Sequence, residues 1–220
     1  MIQLHGTPLS NYYNKVKLAL LEKGLAFSEH MVRPGASEPD VLKASPVGKV
    51  PFLLTPDGPL SESQAILEYL EAVQPQPSLL PSSPYAAAKV RELCLFIDLN
   101  LELVVRPLYA QAFFGAPTDA ALAARVRPVL EKNLLGLQRL VRFSPYVAGD
   151  HFSFADCCAW VCLPLLGLTT KTVYGENLLQ SQGLDIKPYT QLIEQRSSAQ
   201  RVKAEREVVQ RAMMAKGRLD

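Results

Sequence analysis

The chain has 220 residues, 48% of them hydrophobic, enough for one large domain or two small ones with packed cores. Its 23 basic and 21 acidic residues are spread along the sequence and leave a formal charge of +2, too weak a field to recruit nucleic acid or an anionic membrane surface. The opening MIQLHGTPLSNYYN lacks the basic start and apolar core of a secretory signal, and the most apolar later run, CCAWVCLPLLGL, is about a dozen residues with Pro164 inside it, short of the roughly 20 that span a bilayer. A cytoplasmic protein with neither nucleic acid nor membrane as partner is therefore expected.

In chain order, IQLHG (Ile2 to Gly6) reads as a short strand. KVKLALLEKG (Lys15 to Gly24) reads as a helix with apolar Val16, Leu18, Ala19, Leu20 and Leu21, closed by Gly24. AFSEHMV alternates at a period of about two, and EPDVLKAS carries a short helix. VPFLLT is a second clear strand, Pro56-Asp57-Gly58 a turn, and PLSES leads back toward a helix over SQAILEYLEAV. Strand, helix, strand, helix, hairpin, helix is the order of a small α/β domain with a right-handed β-α-β unit, the thioredoxin-like order.

QPQPSLLPSSPY, with prolines at 75, 77, 81 and 84, cannot propagate a helix and reads as a linker. Beyond it the pattern is wholly helical. AAAKVRELCLFIDLNLELVVRPLYAQAFF is one long striped run, and TDAALAARVRPVLEKNLLGLQRLVRF is another, capped by Thr118-Asp119. Pro107 and Pro128 lie inside these patterns and mark possible kinks. In FSFADCCAWVCLPLL, Ser153 followed by Asp156 forms a capping box with Asp in the place of the usual Glu or Gln. The cysteines, Cys94, Cys157, Cys158 and Cys162, form neither a C-x-x-C pair nor a disulfide framework, so they read as buried packing in a reducing compartment, and no metal site is expected. His5, His30 and His151 read as isolated and take no role.

Three stretches resemble motifs of the cytosolic glutathione transferases. SPVGKVPFL resembles the Asn-Pro-x-Gly-x-Val-Pro signature with Ser45 in the asparagine place. SESQAILEYL resembles the Glu-Ser-x-Ala-Ile motif, and GDHFSFADCCA resembles the helix-capping motif of the C-terminal domain. They occur in the family's order, and the resemblance covers essentially the whole chain, on the side of the serine-type classes, bacterial-like or zeta-, phi- or theta-like. The fold it implies is an α/β thioredoxin-like glutathione-binding domain over residues 1–74, a linker over 75–84, and an all-α helical C-terminal domain over 85–220.

The resemblance also implies a site. A cis Val50-Pro51 bond would turn the Val50 backbone outward, to pair with the cysteinyl part of glutathione as an added strand would; a proline merely at a strand entry is the plainer alternative. Ser63 and its amide would hold the γ-glutamyl carboxylate at a helix N-terminus with Glu62 fixing that end, although Ser61 or Ser63 could simply cap the helix. Lys49 could reach the glycyl carboxylate. Ser10, after the first strand and just before a helix, would donate to the glutathione thiolate, with Tyr12 as the alternative donor and Asn11 and Tyr13 beside it. Leu9, Arg106, Tyr109 and Phe113 are the candidate acceptor-pocket residues, the last three sharing a helix face.

The activity implied is glutathione transfer to a small, electrophilic, apolar second substrate, a detoxifying reaction. Glutathione is the co-substrate, no other cofactor is required, and the protein would be a homodimer. A glutathione-dependent isomerase of the maleylacetoacetate type and a non-catalytic binding or regulatory protein of the same fold are the alternatives. The N-terminal domain has no cysteine, and Ser10-Asn11-Tyr12 stands where the isomerases carry Ser-Ser-Cys. Thiol-transfer chemistry through a mixed disulfide is disfavoured for the same reason.

Overall fold

The computed structural model describes residues 1–216. Strands β1 (Ile2–Gly6), β2 (Phe27–Met31), β3 (Phe52–Thr55) and β4 (Gly58–Ser61) form one sheet in the order β2-β1-β3-β4. β1 and β2 are parallel, so a helix must connect them, and α1 (Asn11–Glu22) does so. β3 runs antiparallel to both β1 and β4, and the Pro56-Asp57-Gly58 turn makes a tight hairpin of the last two strands. Helix α2 (Pro39–Ala44) precedes β3, and α3 (Ser63–Val73) follows β4. This is the thioredoxin-like arrangement expected from the sequence.

The core of this unit follows from period. Ile2, Leu4 and Gly6 alternate onto the buried face of β1, while Val16, Ala19 and Leu20 of α1 and Ile66, Leu67 and Leu70 of α3 supply the helical stripes, all but fully buried. Each such leucine contributes about 2 kcal/mol of transfer free energy. On the other face, His5 stacks between His30 and Phe52, with ring centroids 4.7 Å apart on both sides. The two histidines are therefore cross-strand partners rather than isolated, since β1 and β2 pair His5 with His30. Burial and the neighbouring His30 hold the His5 ring below its ordinary value.

Helix α1 starts at Asn11, a full turn before the apolar stripe that marks it in the sequence. Ser10 supplies the N-cap, so the polar run Asn11-Tyr12-Tyr13-Asn14 enters the helix instead of preceding it.

The second compact unit spans residues 80–192. It opens with α4 (Pro84–Phe96), capped by Ser83, and the run continues as a π-helical segment (Ile97–Glu102), α5 (Leu103–Val105), a 3₁₀ turn (Arg106–Leu108) and α6 (Tyr109–Phe113). The expected disturbance at Pro107 is this 3₁₀ turn, whereas Pro128 sits inside α7 (Ala120–Leu140) without ending it. Helix α8 (Phe154–Tyr174) is buried nearly all round its first half, as befits a helix surrounded by others, and α9 (Leu178–Ser181) and α10 (Lys187–Ile193) follow. By length and composition α8 could cross a membrane, but most of its surface is covered within this unit. All four cysteines are buried thiols outside any disulfide.

The last helix, α11 (Ser197–Lys216), packs against α1, so the first compact unit comprises residues 1–79 together with the chain from Ile193 onward. Sequence pattern assigns this helix to the helical stretch because its polarity gives no local sign of its partner. Side chains show why it sits on α1. Glu22 accepts from Arg196 Nε at 2.8 Å, from Arg196 Nη2 at 2.5 Å and from the Ser198 hydroxyl, and Lys17 pairs with Glu205.

Asp156 closes the capping box of α8. Its Oδ2 accepts from the Ser153 amide at 2.8 Å and the Ser153 hydroxyl at 3.1 Å, and its Oδ1 accepts from the Val147 amide at 2.9 Å. Burial pushes this carboxyl up to about 6 against the pull of those donors. An unfolded aspartate titrates near 3.9, so the folded chain holds the extra proton between about pH 4 and 6. The group's contribution to stability is complete below that window, falls as pH rises through it, and is constant above. Asp156→Ala strands three buried donors and is expected to cost about 3 kcal/mol at pH 7 and to remove this slope, as read by urea denaturation of both chains at pH 4.5, 5.5 and 7.

Candidate functional site

The candidate site is built by four segments around the first turns of α1. The loop from Thr7 to Ser10 is tied down twice. The Ser10 amide donates to the Thr7 carbonyl at 2.9 Å, and Asn14 Nδ2 donates to the Pro8 carbonyl at 2.8 Å. Ser10 Oγ accepts from the Tyr13 amide at 3.3 Å, the N-cap bond. Capping uses a lone pair, so the hydroxyl hydrogen of Ser10 stays available at the positive end of α1. Leu9 precedes it, half-buried.

Tyr12 and Tyr13, adjacent in sequence, differ in what they offer. Tyr13 is buried and its hydroxyl donates to Glu29 Oε2 at 2.5 Å. Burial first, and then the Glu29 hydrogen bond and charge, hold its phenol protonated far above the ordinary range. It is committed to β2. Tyr12 is half-buried.

The second segment is the loop before β3. The Val50-Pro51 bond is cis. Val50 lies outside the ladder, which begins at Phe52, and among the described residues its amide and carbonyl take part in no backbone hydrogen bond. The loop that presents it is fixed from inside. Ser45 Oγ donates to the Lys49 carbonyl at 2.8 Å, the Gly48 amide to the Ser45 carbonyl at 2.8 Å, and the Gly35 amide to the Gly48 carbonyl at 2.8 Å. Gly48 has φ +63, and a Cβ there would stand 2.2 Å from the Ala36 carbonyl oxygen. The Lys49 side chain is exposed.

Val50 and the Tyr13 ring of α1 both lie close to Gly6. A Cβ at Gly6 would lie 2.6 Å from Tyr13 Cδ2 and 3.2 Å from Val50 Cβ, so the bare glycine lets the Tyr13 ring and Val50 close on the end of β1. The fourth segment is the entrance to α3. Glu62 is its N-cap, with φ +68, a conformation L residues rarely hold and one that costs about 1–3 kcal/mol. Ser63 is the first helical residue, so neither Ser61 nor Ser63 caps the helix. Ser63 Oγ instead accepts from Lys15 Nζ at 3.3 Å. The amides of Ser63, Gln64 and Ala65 precede the first intrahelical bond, Ile66 to Glu62, and point out of the helix end.

In the helical unit, Arg106, Tyr109 and Phe113 do share a face despite the changes of helix type. The Tyr109 and Phe113 rings lie 5.7 Å apart, and the Arg106 guanidinium sits 5.9 Å from the Tyr109 ring. Their organiser is not legible in the sequence: Glu102, a buried carboxylate, accepts from Arg106 at 2.7 Å and Tyr109 at 2.8 Å. Burial, with the Glu102 charge next, holds the Tyr109 phenol protonated.

A profile described as Glutathione S-transferase, N-terminal domain, matches residues 4–78. A glutathione S-transferase of Pseudomonas putida is 40% identical over 214 residues, 97% of this chain and 96% of that protein. The chain belongs to the glutathione S-transferase family. A stringent starvation protein A homolog of Coxiella burnetii is 31% identical, covering 76% of this chain and 75% of its own. Among solved structures, the crystal structure of a glutathione S-transferase from Methylobacterium radiotolerans in complex with glutathione sulfonate superposes with a TM-score of 0.71 at 28% identity, over 91% of this chain and 93% of that one.

Besides Glu102, the residues around the candidate site that escape sequence reasoning are Gly6, Asn14 and Lys15. A signal for the last was present. Lys15 and Lys17 are two apart on a helix, about 200° around its axis, so both cannot face water once α1 packs on the sheet. Gly48→Ala is expected to cost on the order of 3 kcal/mol, by forcing a side chain into left-handed backbone against a carbonyl, and to weaken glutathione binding through displacement of Val50. Denaturation and calorimetric titration of the variant measure both.

Proposed function

We propose that this glutathione transferase conjugates glutathione to a small, largely apolar electrophile, with Ser10 as the donor to the thiolate. The observation that carries the reading is the Ser10 hydroxyl, fixed at the N-terminus of α1 with its hydrogen donated to no acceptor among the described residues. A free thiol titrates near 8.5 and is mostly protonated at neutral pH. An O–H donor and the positive end of a helix stabilise the thiolate, and each unit of lowering corresponds to about 1.4 kcal/mol. The proton leaves to solvent, the sulfur forms a bond to the electrophilic carbon, and the leaving group departs with the bonding pair.

The rest of the peptide follows the openings in the backbone. The Val50 amide and carbonyl suit the cysteinyl residue, paired as in an added strand beside Pro51. The amides at the start of α3, with the Ser63 hydroxyl and Glu62, suit the γ-glutamyl end, and the exposed Lys49 suits the glycyl carboxylate. Leu9 is an apolar neighbour for the reacting sulfur. Arg106, Tyr109 and Phe113 are the proposed acceptor contacts of the helical unit. Conjugation is favoured over isomerisation because no cysteine follows Ser10.

The working form would be a cytoplasmic homodimer. Leu95, Leu99 and Leu103, each 45–55% exposed, form a stripe one helical turn apart along the α4 run, an apolar face that a second copy would cover.

Ser10→Ala is expected to lower kcat/KM for a chloronitrobenzene-type electrophile by on the order of 100-fold, with Tyr12→Phe changing it by less than about threefold. The reverse ranking would make Tyr12 the donor. A folded wild-type protein that fails to bind immobilised glutathione would refute the reading as a whole.

A further inference from the structure

Three lysines of α1 and its C-terminal end are buried, and each finds a partner that explains it. Lys17 lies 2.5 Å from Glu29 and also pairs with Glu205. Lys23 lies 2.6 Å from Glu71 and donates to the carbonyls of Gln74 at 2.7 Å and Pro77 at 3.1 Å. Both of these ammonium groups tie structural elements together, α11 and β2 in one case and the end of α3 in the other. Lys15, fully buried, sends its Nζ to Ser63 Oγ, at the mouth of α3.

That contact decides which way Ser63 works. A hydroxyl has one hydrogen and two lone pairs, and an ammonium can only donate. Lys15 therefore occupies a lone pair of Ser63 and repels the hydroxyl hydrogen, which must turn elsewhere. Among the described residues Ser63 Oγ donates to no protein acceptor. The freed hydrogen is on the first residue of α3, beside the outward amides of Ser63, Gln64 and Ala65. Donation into an oxygen also strengthens that oxygen's own O–H as a donor.

We propose that Lys15 is a positioning residue for glutathione: it holds the Ser63 hydroxyl as a donor toward the α-carboxylate of the γ-glutamyl group. This rests on the glutathione reading above and names a residue that acts within it. Lys15 acts through Ser63 and touches neither the sulfur nor the second substrate. Its effect therefore belongs to glutathione affinity and not to the chemical step.

The test compares Lys15→Met, which keeps length and burial, with wild type. The probes are glutathione and its decarboxylated analogue, in which γ-aminobutyrate replaces the γ-glutamyl group. Calorimetry is expected to show glutathione binding weakened about 10-fold or more in Lys15→Met, with binding of the analogue unchanged within about twofold and kcat at saturating glutathione within about threefold. In a Ser63→Ala background the same substitution is expected to do nothing further, the signature of a shared contact. If Lys15→Met does not fold by circular dichroism, Lys15→Leu, which likewise has no donor, carries the same comparison. Equal affinity for glutathione in variant and wild type, equal losses for both probes, or an additive effect with Ser63→Ala each overturns the proposal while leaving the glutathione reading standing. A wild type that binds neither probe overturns that reading itself.

Discussion

The buried surface of α1 carries polar groups beside its apolar stripe, and several elements of the first compact unit supply partners for them. Tyr13, Asn14, Lys15 and Lys17 are all but fully buried within the first two turns of a helix that packs on a sheet. Burying such groups costs several kcal/mol each unless every one meets a partner. The partners come from four places: Glu29 of β2, the Pro8 carbonyl, Ser63 of α3 and Glu205 of α11. A helix held by apolar contacts alone could slide or rotate with little penalty. One held by hydrogen bonds of fixed geometry cannot.

That rigidity is what a glutathione site needs. Ser10, Val50 and Ser63 lie on three different segments, and α1 touches the surroundings of each. Ser10 is its cap, Tyr13 and Val50 both crowd Gly6, and Lys15 meets Ser63. The open groups at these positions are backbone amides, one carbonyl and two hydroxyls, a set suited to a peptide laid along the unit as an additional strand. Two left-handed residues shape these openings: Glu62 at φ +68, a conformation costly for any residue but glycine, and Gly48 at φ +63, where glycine avoids that cost.

The parts legible in the sequence are those with local causes. Period-two and period-3.6 patterns marked β1, β3 and α3. Capping chemistry marked Ser10, Asp119 and the Ser153-Asp156 box, and turn residues marked the β3–β4 hairpin. The motif around Pro51 carried its geometry with it. What stayed hidden depends on contacts across long stretches of chain. Nothing local in Ser197–Lys216 says that Glu205 meets Lys17, 188 residues away. Nor does the helical stripe of the α4 run show that Glu102 gathers Arg106 and Tyr109. The start of α1 is not legible because polar residues look like loop until their buried partners are known, and His5 reads as isolated because its neighbours stand on adjacent strands.

The central claim is that the unpaired backbone of Val50 receives glutathione. Amide hydrogen exchange at Val50, with and without saturating glutathione, tests it most directly, with the Leu53 amide, already inside the β3 strand, as the internal reference. Exchange at Val50 slowed about 10-fold or more on binding, with Leu53 nearly unchanged, is the expected result. Saturation with glutathione that leaves Val50 exchanging at its free rate would contradict the account.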